Sequence, residues 1–363
     1  ELMSSLGKSS FSKSYLFHSA GKDSNTIALA LAEEGAQEKV TLVSQKSKGF
    51  ADESLISKNI AKKLGFDHVT LNEIDNFDLS HRAHLTAFFE RIPLPVVDSV
   101  TLALPLYNYQ EGNLEKSNFI FGDGNDGYMF SLPSQREKFL FNLPGYNVVS
   151  SFLGENLNSE SIMSPLQKAK LEIFGLDGVS HGDAKKIYGD YDSPFLFWQN
   201  ERQKRSHLSL IDIKTDIYAT KVITGRMIRK LENFADVYNG KMLLPFTAPS
   251  VMRFFQELPT SWLYDATNGR NKVFLRELLK TRLDLDSDKI GKMGWTYDVN
   301  KVVMNNYRWF RSEILECTLW NSEEVESLLI RLKASSNKKN KYSLFSAKMI
   351  YRMFLISLWY NHN

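Results

Sequence analysis

The sequence has little cysteine, no long apolar run and almost no charge imbalance, and each shortage limits what the chain can be. Cys317 is the single cysteine in 363 residues. An internal disulfide framework and a cysteine-rich metal site are therefore excluded, and a reducing compartment, the cytoplasm, is expected. The longest apolar stretches, Thr26–Ala32 and Met353–Tyr360, are far shorter than the roughly 20 residues that span a bilayer. No signal-peptide pattern is visible. Lys and Arg number 45 against 42 Asp and Glu, a net charge of +3, so neither a nucleic acid nor a membrane surface is an expected partner. What is present is apolar mass: 43% of the residues are hydrophobic, enough to bury a substantial core.

Local patterning predicts strands and helices in alternation. Ser14–Phe17 reads as a short buried strand that runs into His18-Ser19-Ala20-Gly21-Lys22-Asp23-Ser24 and then an apolar helix, Thr26–Glu34. Val40–Ser44 reads as a second strand, Glu53–Leu64 as a helix stopped by Gly65, and Val69–Leu71 as a third strand. Asn118–Phe121 is another apolar strand, opening into Gly122-Asp123-Gly124-Asn125-Asp126-Gly127-Tyr128, too rich in Gly and Asp to continue it. This rhythm predicts an α/β fold, a parallel sheet flanked by helices, with ligands bound at the carboxyl ends of the strands. From about Ser131 the pattern turns helical and ends in an apolar helix, Ser343–Tyr360. The predicted division is a nucleotide-binding core over residues 1–130 and a mainly helical part over 131–363. Ser335–Lys341, polar and basic, reads as a solvated loop.

Two strand-end loops carry the chemistry. Small residues at Ser19, Ala20 and Gly21 let backbone N–H groups close on a phosphate, and the following helix points its positive end at the same place. Ser19 and Ser24 add hydroxyl donors. Asp23 belongs beside a phosphate only if a divalent cation lies between them, which implies Mg²⁺. The alternative for this loop is an ordinary turn with Asp23 or Ser24 as helix cap. In the second loop Asp123 and Asp126 suit metal ligation and acid/base work, against the alternative of a solvated turn.

Ser19-Ala20-Gly21-Lys22-Asp23-Ser24 resembles the Ser-Gly-Gly-x-Asp-Ser pyrophosphate loop (PP-loop) of the N-type ATP pyrophosphatases, within the adenine nucleotide alpha hydrolase-like folds. Gly122-Asp123-Gly124-Asn125-Asp126 is similar to the Gly-Glu/Asp-Gly-x-Asp motif of asparagine synthetases and their β-lactam-forming relatives. Between them, Asp52-Glu53 and Leu64-Gly65-Phe66-Asp67-His68 are similar to the family's Asp-Glu helix and its Leu-Gly-x-x-His ending. Downstream, Leu244-Pro245-Phe246, Asn271-Lys272-Val273-Phe274-Leu275-Arg276 and Lys292-Met293-Gly294-Trp295 resemble three further blocks of the family in the right order, as does the closing helix with Trp359.

The resemblance implies an amide-forming ligase that uses ATP and Mg²⁺ to adenylate a carboxylate, after which an amine attacks and AMP and pyrophosphate leave. It implies pyrophosphate and Mg²⁺ contacts for Ser19, Gly21, Lys22, Asp23 and Ser24, with Gly122 beside them and Asp126 as the second metal ligand. Asp123 falls where relatives carry an acid/base residue, and Lys292 matches a lysine set against charge that develops during acyl transfer. Leu16, His18, Val43 and Gln45 lie where relatives hold adenine and ribose.

The chain departs from that pattern at four places. Ala20 replaces the first loop glycine, Gly127 an acidic residue, Leu243 an arginine, and Thr247-Ala248-Pro249 lacks the family's aspartate. The acyl pocket is therefore expected to differ from one made for aspartate. Glutamine-dependent members carry an N-terminal glutaminase with a terminal cysteine. Here the nitrogen is expected from such a domain ahead of Glu1, from a partner, from free ammonia or from the substrate's own amine. Two other readings follow: an intramolecular amide-forming cyclase, and a silent nucleotide-binding subunit. Three further features carry less. His81 and His84 have zinc spacing but no third ligand in sequence; the alternating charges of Trp198–Arg205 read as a salt-bridged helix face; and the abundant Phe and Tyr read as packing.

Overall fold

The computed structural model describes residues 2–47, 52–112, 114–145, 181–188, 194–290, 297–337 and 341–363. Five short strands form one parallel sheet: β1 (Ser14–Phe17), β2 (Thr41–Lys46), β3 (Asp67–Asn72), β4 (Asn118–Ile120) and β5 (Lys241–Leu243), in the order β3-β2-β1-β4-β5. Tyr15 pairs with Thr41 on one side of β1 and with Phe119 on the other. This is the α/β architecture expected from the alternating pattern.

The inner strands β1, β2 and β4 are largely buried on both faces, as parallel strands covered by helices must be, whereas the outer strands β3 and β5 are partly exposed. On one face Leu16, Leu42 and Ile120 pack with Ile27, Ala28 and Leu31 of the helix α2 (Lys22–Glu33), which follows a short N-terminal helix α1 (Leu2–Gly7). Phe17 and Phe121 stack with ring centroids 4.6 Å apart, and Phe17 and Phe119 both meet Phe234 of the Arg229–Val237 helix. The helix α3 (Ser54–Leu64) connects β2 to β3 and ends on Gly65 at φ 81°, the left-handed cap that glycine adopts without strain.

The chain divides into two compact units that interleave in sequence. The first comprises residues 1–74, 100–131 and 223–297 and contains the whole sheet. The second comprises residues 75–99, 132–222 and 298–363 and is helical where described. Its core joins the helices Val299–Glu316 and Lys341–His362 through stacked Phe310 and Phe354, while Trp359 Nε1 donates to the carbonyl of Ile92 at 3.1 Å.

Two expectations are corrected here. The helix after the first loop begins at Lys22 rather than Thr26, so Lys22, Asp23 and Ser24 form its first turn. The segment read as a solvated loop from Ser335 starts inside a helix instead: Ser335 and Ser336 are buried at the end of Ser322–Ser336, carried there by the apolar run Leu328, Leu329 and Leu332.

Candidate functional site

The strand order sets the position of the site. From β1 the chain crosses to β2 on one side, whereas β4 is followed by β5 on the other. The carboxyl ends of β1 and β4 therefore flank the point where the winding reverses, the crevice in which open α/β sheets bind ligands. The loop at residues 18–21 leaves β1 there, and the loop from Phe121 to Tyr128 leaves β4 beside it.

These two loops touch through Gly122. A Cβ built on Gly122 would lie 3.1 Å from Asp23 Cβ and 3.2 Å from the Ser24 nitrogen, so only glycine lets the β4 loop approach the first turn of α2 this closely. Gly124 has φ 106°, and a Cβ there would meet Thr247 Cγ2 at 2.5 Å. Both glycines of the motif are thus spent on geometry, bringing Asn125 and Asp126 over the end of β1.

The charged centre is a buried lysine. Lys272 Nζ donates to Asp23 Oδ1 and Oδ2 at 2.9 and 2.8 Å and to Asn125 Oδ1 at 2.9 Å, and it pairs with Asp126 Oδ1 at 2.7 Å. Asn125 Nδ2 also donates to Asp23 Oδ1. Burial alone would depress the Lys272 pKa, but the Asp23 and Asp126 carboxylates outweigh it and hold the pKa above the ordinary lysine value. Lys272 caps the Val273–Leu283 helix at φ 56°, a left-handed conformation that a lysine adopts only when its surroundings enforce it, and its N–H donates to the Leu263 carbonyl at 2.7 Å.

Asp123 lies close by and is only partly exposed. Burial pushes its carboxyl pKa up; Lys230 opposes this, Asp126 and Asp23 add to it, and Lys272 opposes it again. A carboxyl held toward its protonated form at a strand end can exchange a proton with a ligand.

The loop after β1 is held from within. Ser19 N–H donates to Ser24 Oγ at 3.1 Å, Gly21 N–H to Ser19 Oγ at 3.0 Å, and Ala20 N–H to the buried Glu53 carboxylate at 2.8 Å. Lys22, Asp23 and Ser24 form the first turn of α2, and the start of a helix is the end that favours an anion.

His18 is fully buried and anchors this turn. Asn25 donates both amide hydrogens to backbone carbonyls, to Gly21 at 2.7 Å and Ser19 at 3.3 Å, which leaves Asn25 Oδ1 to accept from His18 Nε2 at 2.9 Å. His18 Nδ1 is then an acceptor from the Ser57 hydroxyl at 2.6 Å, and Ser57 in turn lies 3.0 Å from His68 Nε2. Burial is the largest influence on His18, ahead of the Asn25 bond and His68, and brings its pKa down to about 3, so it is neutral at physiological pH.

The residues predicted to hold adenine and ribose sit behind this rim. Leu16 and Val43 are core residues, the Val43 carbonyl accepts from His18 N–H at 2.7 Å, and buried Gln45 accepts from the Tyr107 hydroxyl through Oε1. The structure brings Ser19, Gly21, Asp23, Ser24, Gly122, Asp123 and Asp126 to one sheet edge. Lys292 lies outside the described residues. The roles of Asn125, Lys230 and Lys272 were not read from sequence, although Asn125 and Lys272 each stood in a block quoted for its resemblance.

Asp23 and Asp126 converge on one cationic atom, Lys272 Nζ, and are the carboxylates of this site that could hold a divalent cation, since two carboxylates completed by phosphates are a usual Mg²⁺ environment. Among the described residues no group of three or more His, Cys, Asp or Glu side chains is placed to hold a metal. His81 instead pairs with Asp78 at 2.8 Å, and Arg205 pairs with Glu201 and Asp216.

Compared with models of known protein families and with curated proteins, the chain matches none.

Proposed function

We propose that the chain is an ATP-dependent, AMP-forming carbon–nitrogen ligase of the asparagine synthetase type, in which a carboxylate is adenylated at a PP-loop and an amine or ammonia then attacks. The observation that supports it best is the meeting of Asp23 and Asp126, from two loops about a hundred residues apart in sequence, on one cation position at the switch point of the sheet. In this reading the first turn of α2, with Ser19 and Ser24, binds the pyrophosphate portion of ATP. Asp23 and Asp126 would hold Mg²⁺, with Asn125 fixing the orientation of Asp23. The bound ion would neutralise phosphate charge as pyrophosphate departs. Asp123 takes or returns a proton at the attacking amine, and Lys292, by the resemblance, would stabilise the charge that develops there. Leu243 and Thr247-Ala248-Pro249 favour an acid other than aspartate, including one that carries its own amine and cyclises.

The test is isotope exchange between labelled pyrophosphate and ATP in the presence of candidate acids, with product nucleotides separated. AMP and exchange support the reading; ADP, or no exchange with any acid, refutes it. A second reading, a silent nucleotide-binding subunit, is favoured by the Glu53 carboxylate on the Ala20 amide and by the lysine at the cation position. It predicts ATP binding by calorimetry without AMP formation.

A further inference from the structure

We infer that Lys272 is a tethered stand-in for the metal ion: its ammonium holds Asp23 and Asp126 in position in the metal-free protein and must leave before a divalent cation can enter. The inference rests on the proposed function only in taking these carboxylates as the metal ligands.

Two observations on one side chain carry it, the oxygens around its ammonium and its burial. Four oxygens, from Asp23, Asn125 and Asp126, surround Nζ at 2.7–2.9 Å, so the ammonium takes the point on which all of them converge. A Mg²⁺ ion draws its oxygens to about 2.0–2.1 Å, and no room for an ammonium between the same carboxylates is then left. Two adjacent cations would also repel each other. Lys272 itself is 6% exposed, whereas the side chains of Asp23 and Asp126 are 29% and 40% exposed, so the lysine is the buried member of the cluster.

The backbone is suited to such an exchange. The Lys272 N–H is bonded to the Leu263 carbonyl and Lys272 caps the following helix at φ 56°, so the main chain is held and only the four-carbon stem would have to move for the ammonium to leave. Removing Nζ without replacement leaves two carboxylates about one cation apart with their mutual repulsion unbalanced. An ammonium that resides there keeps the ligands gathered and at the same time lowers the affinity for metal until a ligand bearing phosphate arrives to favour the divalent ion.

The experiment uses the full chain and Mn²⁺ alone, with free Mn²⁺ read by electron paramagnetic resonance and no nucleotide present. Lys272→Ala and Lys272→Gln should bind Mn²⁺ at least tenfold more tightly than wild type, whereas Lys272→Arg, which keeps the charge, should stay weak. Ethylammonium added to Lys272→Ala should refill the position and raise the apparent Mn²⁺ Kd, with no such effect on wild type. If Lys272→Ala does not fold, Lys272→Gln, whose amide still donates to the carboxylates, answers the same question. Unchanged Mn²⁺ affinity in the neutral variants, or indifference of Lys272→Ala to ethylammonium, overturns the inference. Neither result depends on AMP formation, so the ligase reading can fail while this one stands.

Discussion

Gly122 lies against Asp23 with no room for a methyl group between them: the missing Cβ would sit 3.1 Å from Asp23 Cβ. The β4 loop meets the α2 turn at this contact and through the Asn125–Asp23 hydrogen bond. Gly122→Ala is expected to push the two loops apart by a few tenths of an ångström, at a cost of about 1–3 kcal/mol. The urea midpoint should fall modestly, and ATP turnover should fall further than stability does. Full activity in a folded Gly122→Ala protein would show that the loop spacing is not used.

On the proposed reading, Asp23 and Asp126 act at a different stage from Lys292. Asp23→Asn or Asp126→Asn should abolish pyrophosphate release by preventing assembly of the nucleotide complex. Lys292→Ala should leave nucleotide binding intact and slow single-turnover AMP formation by about 10²–10³, the usual loss when a group aimed at developing charge is removed. Normal turnover in Asp126→Asn would reduce the second loop to a turn.

His18 should shape the acid limb of stability. Its pKa falls from 6.5 to about 3 on folding. Above pH 6.5 both folded and unfolded chains carry it neutral. As pH falls below 6.5 the unfolded chain takes up a proton that the folded chain refuses, so stability is lost progressively down to about pH 3, by on the order of 5 kcal/mol. His18→Gln should be weaker at pH 7 yet lose this steep limb, as read from urea midpoints across pH. An unchanged slope would place the acid sensitivity elsewhere.

Asp123 should have the opposite signature. Its folded pKa is raised above 3.8, so its contribution to stability is complete below 3.8 and is lost as pH rises through the folded value, because the unfolded chain ionises first. Asp123→Asn is therefore expected to be more stable than wild type at neutral pH and to flatten that decline, while losing amide formation. A variant less stable than wild type at pH 7 would contradict it.

The parts of this site that could be read from sequence are those whose signals are local. An apolar run broken by Ser19-Ala20-Gly21, or by Gly122-Asp123-Gly124, announces a strand end whatever the rest of the chain does, and β1 was expected at Ser14–Phe17, where it occurs. The start of α2 was placed four residues late because Lys22-Asp23-Ser24-Asn25 reads as loop by composition, while the His18–Asn25 bond and the capping backbone of Gly21 make it helix. Lys272 was out of reach for a different reason. Its partners lie 249 and 147 residues away, and nothing in its neighbours announces a left-handed lysine. Glu53 was legible as part of a block, but that its carboxylate would take the Ala20 amide depends on how α3 meets the loop.

Because β5 is the outermost strand beside β4 and begins only at Lys241, a chain still being synthesised displays β4 as a raw edge from Ile120 until Lys241 has been added. That edge has an open row of backbone donors and acceptors and the aromatic face of Phe119 beside it. Lys272 follows some thirty residues after β5 starts. On the ribosome, the carboxylates of Asp23 and Asp126 therefore exist long before the cation that balances them.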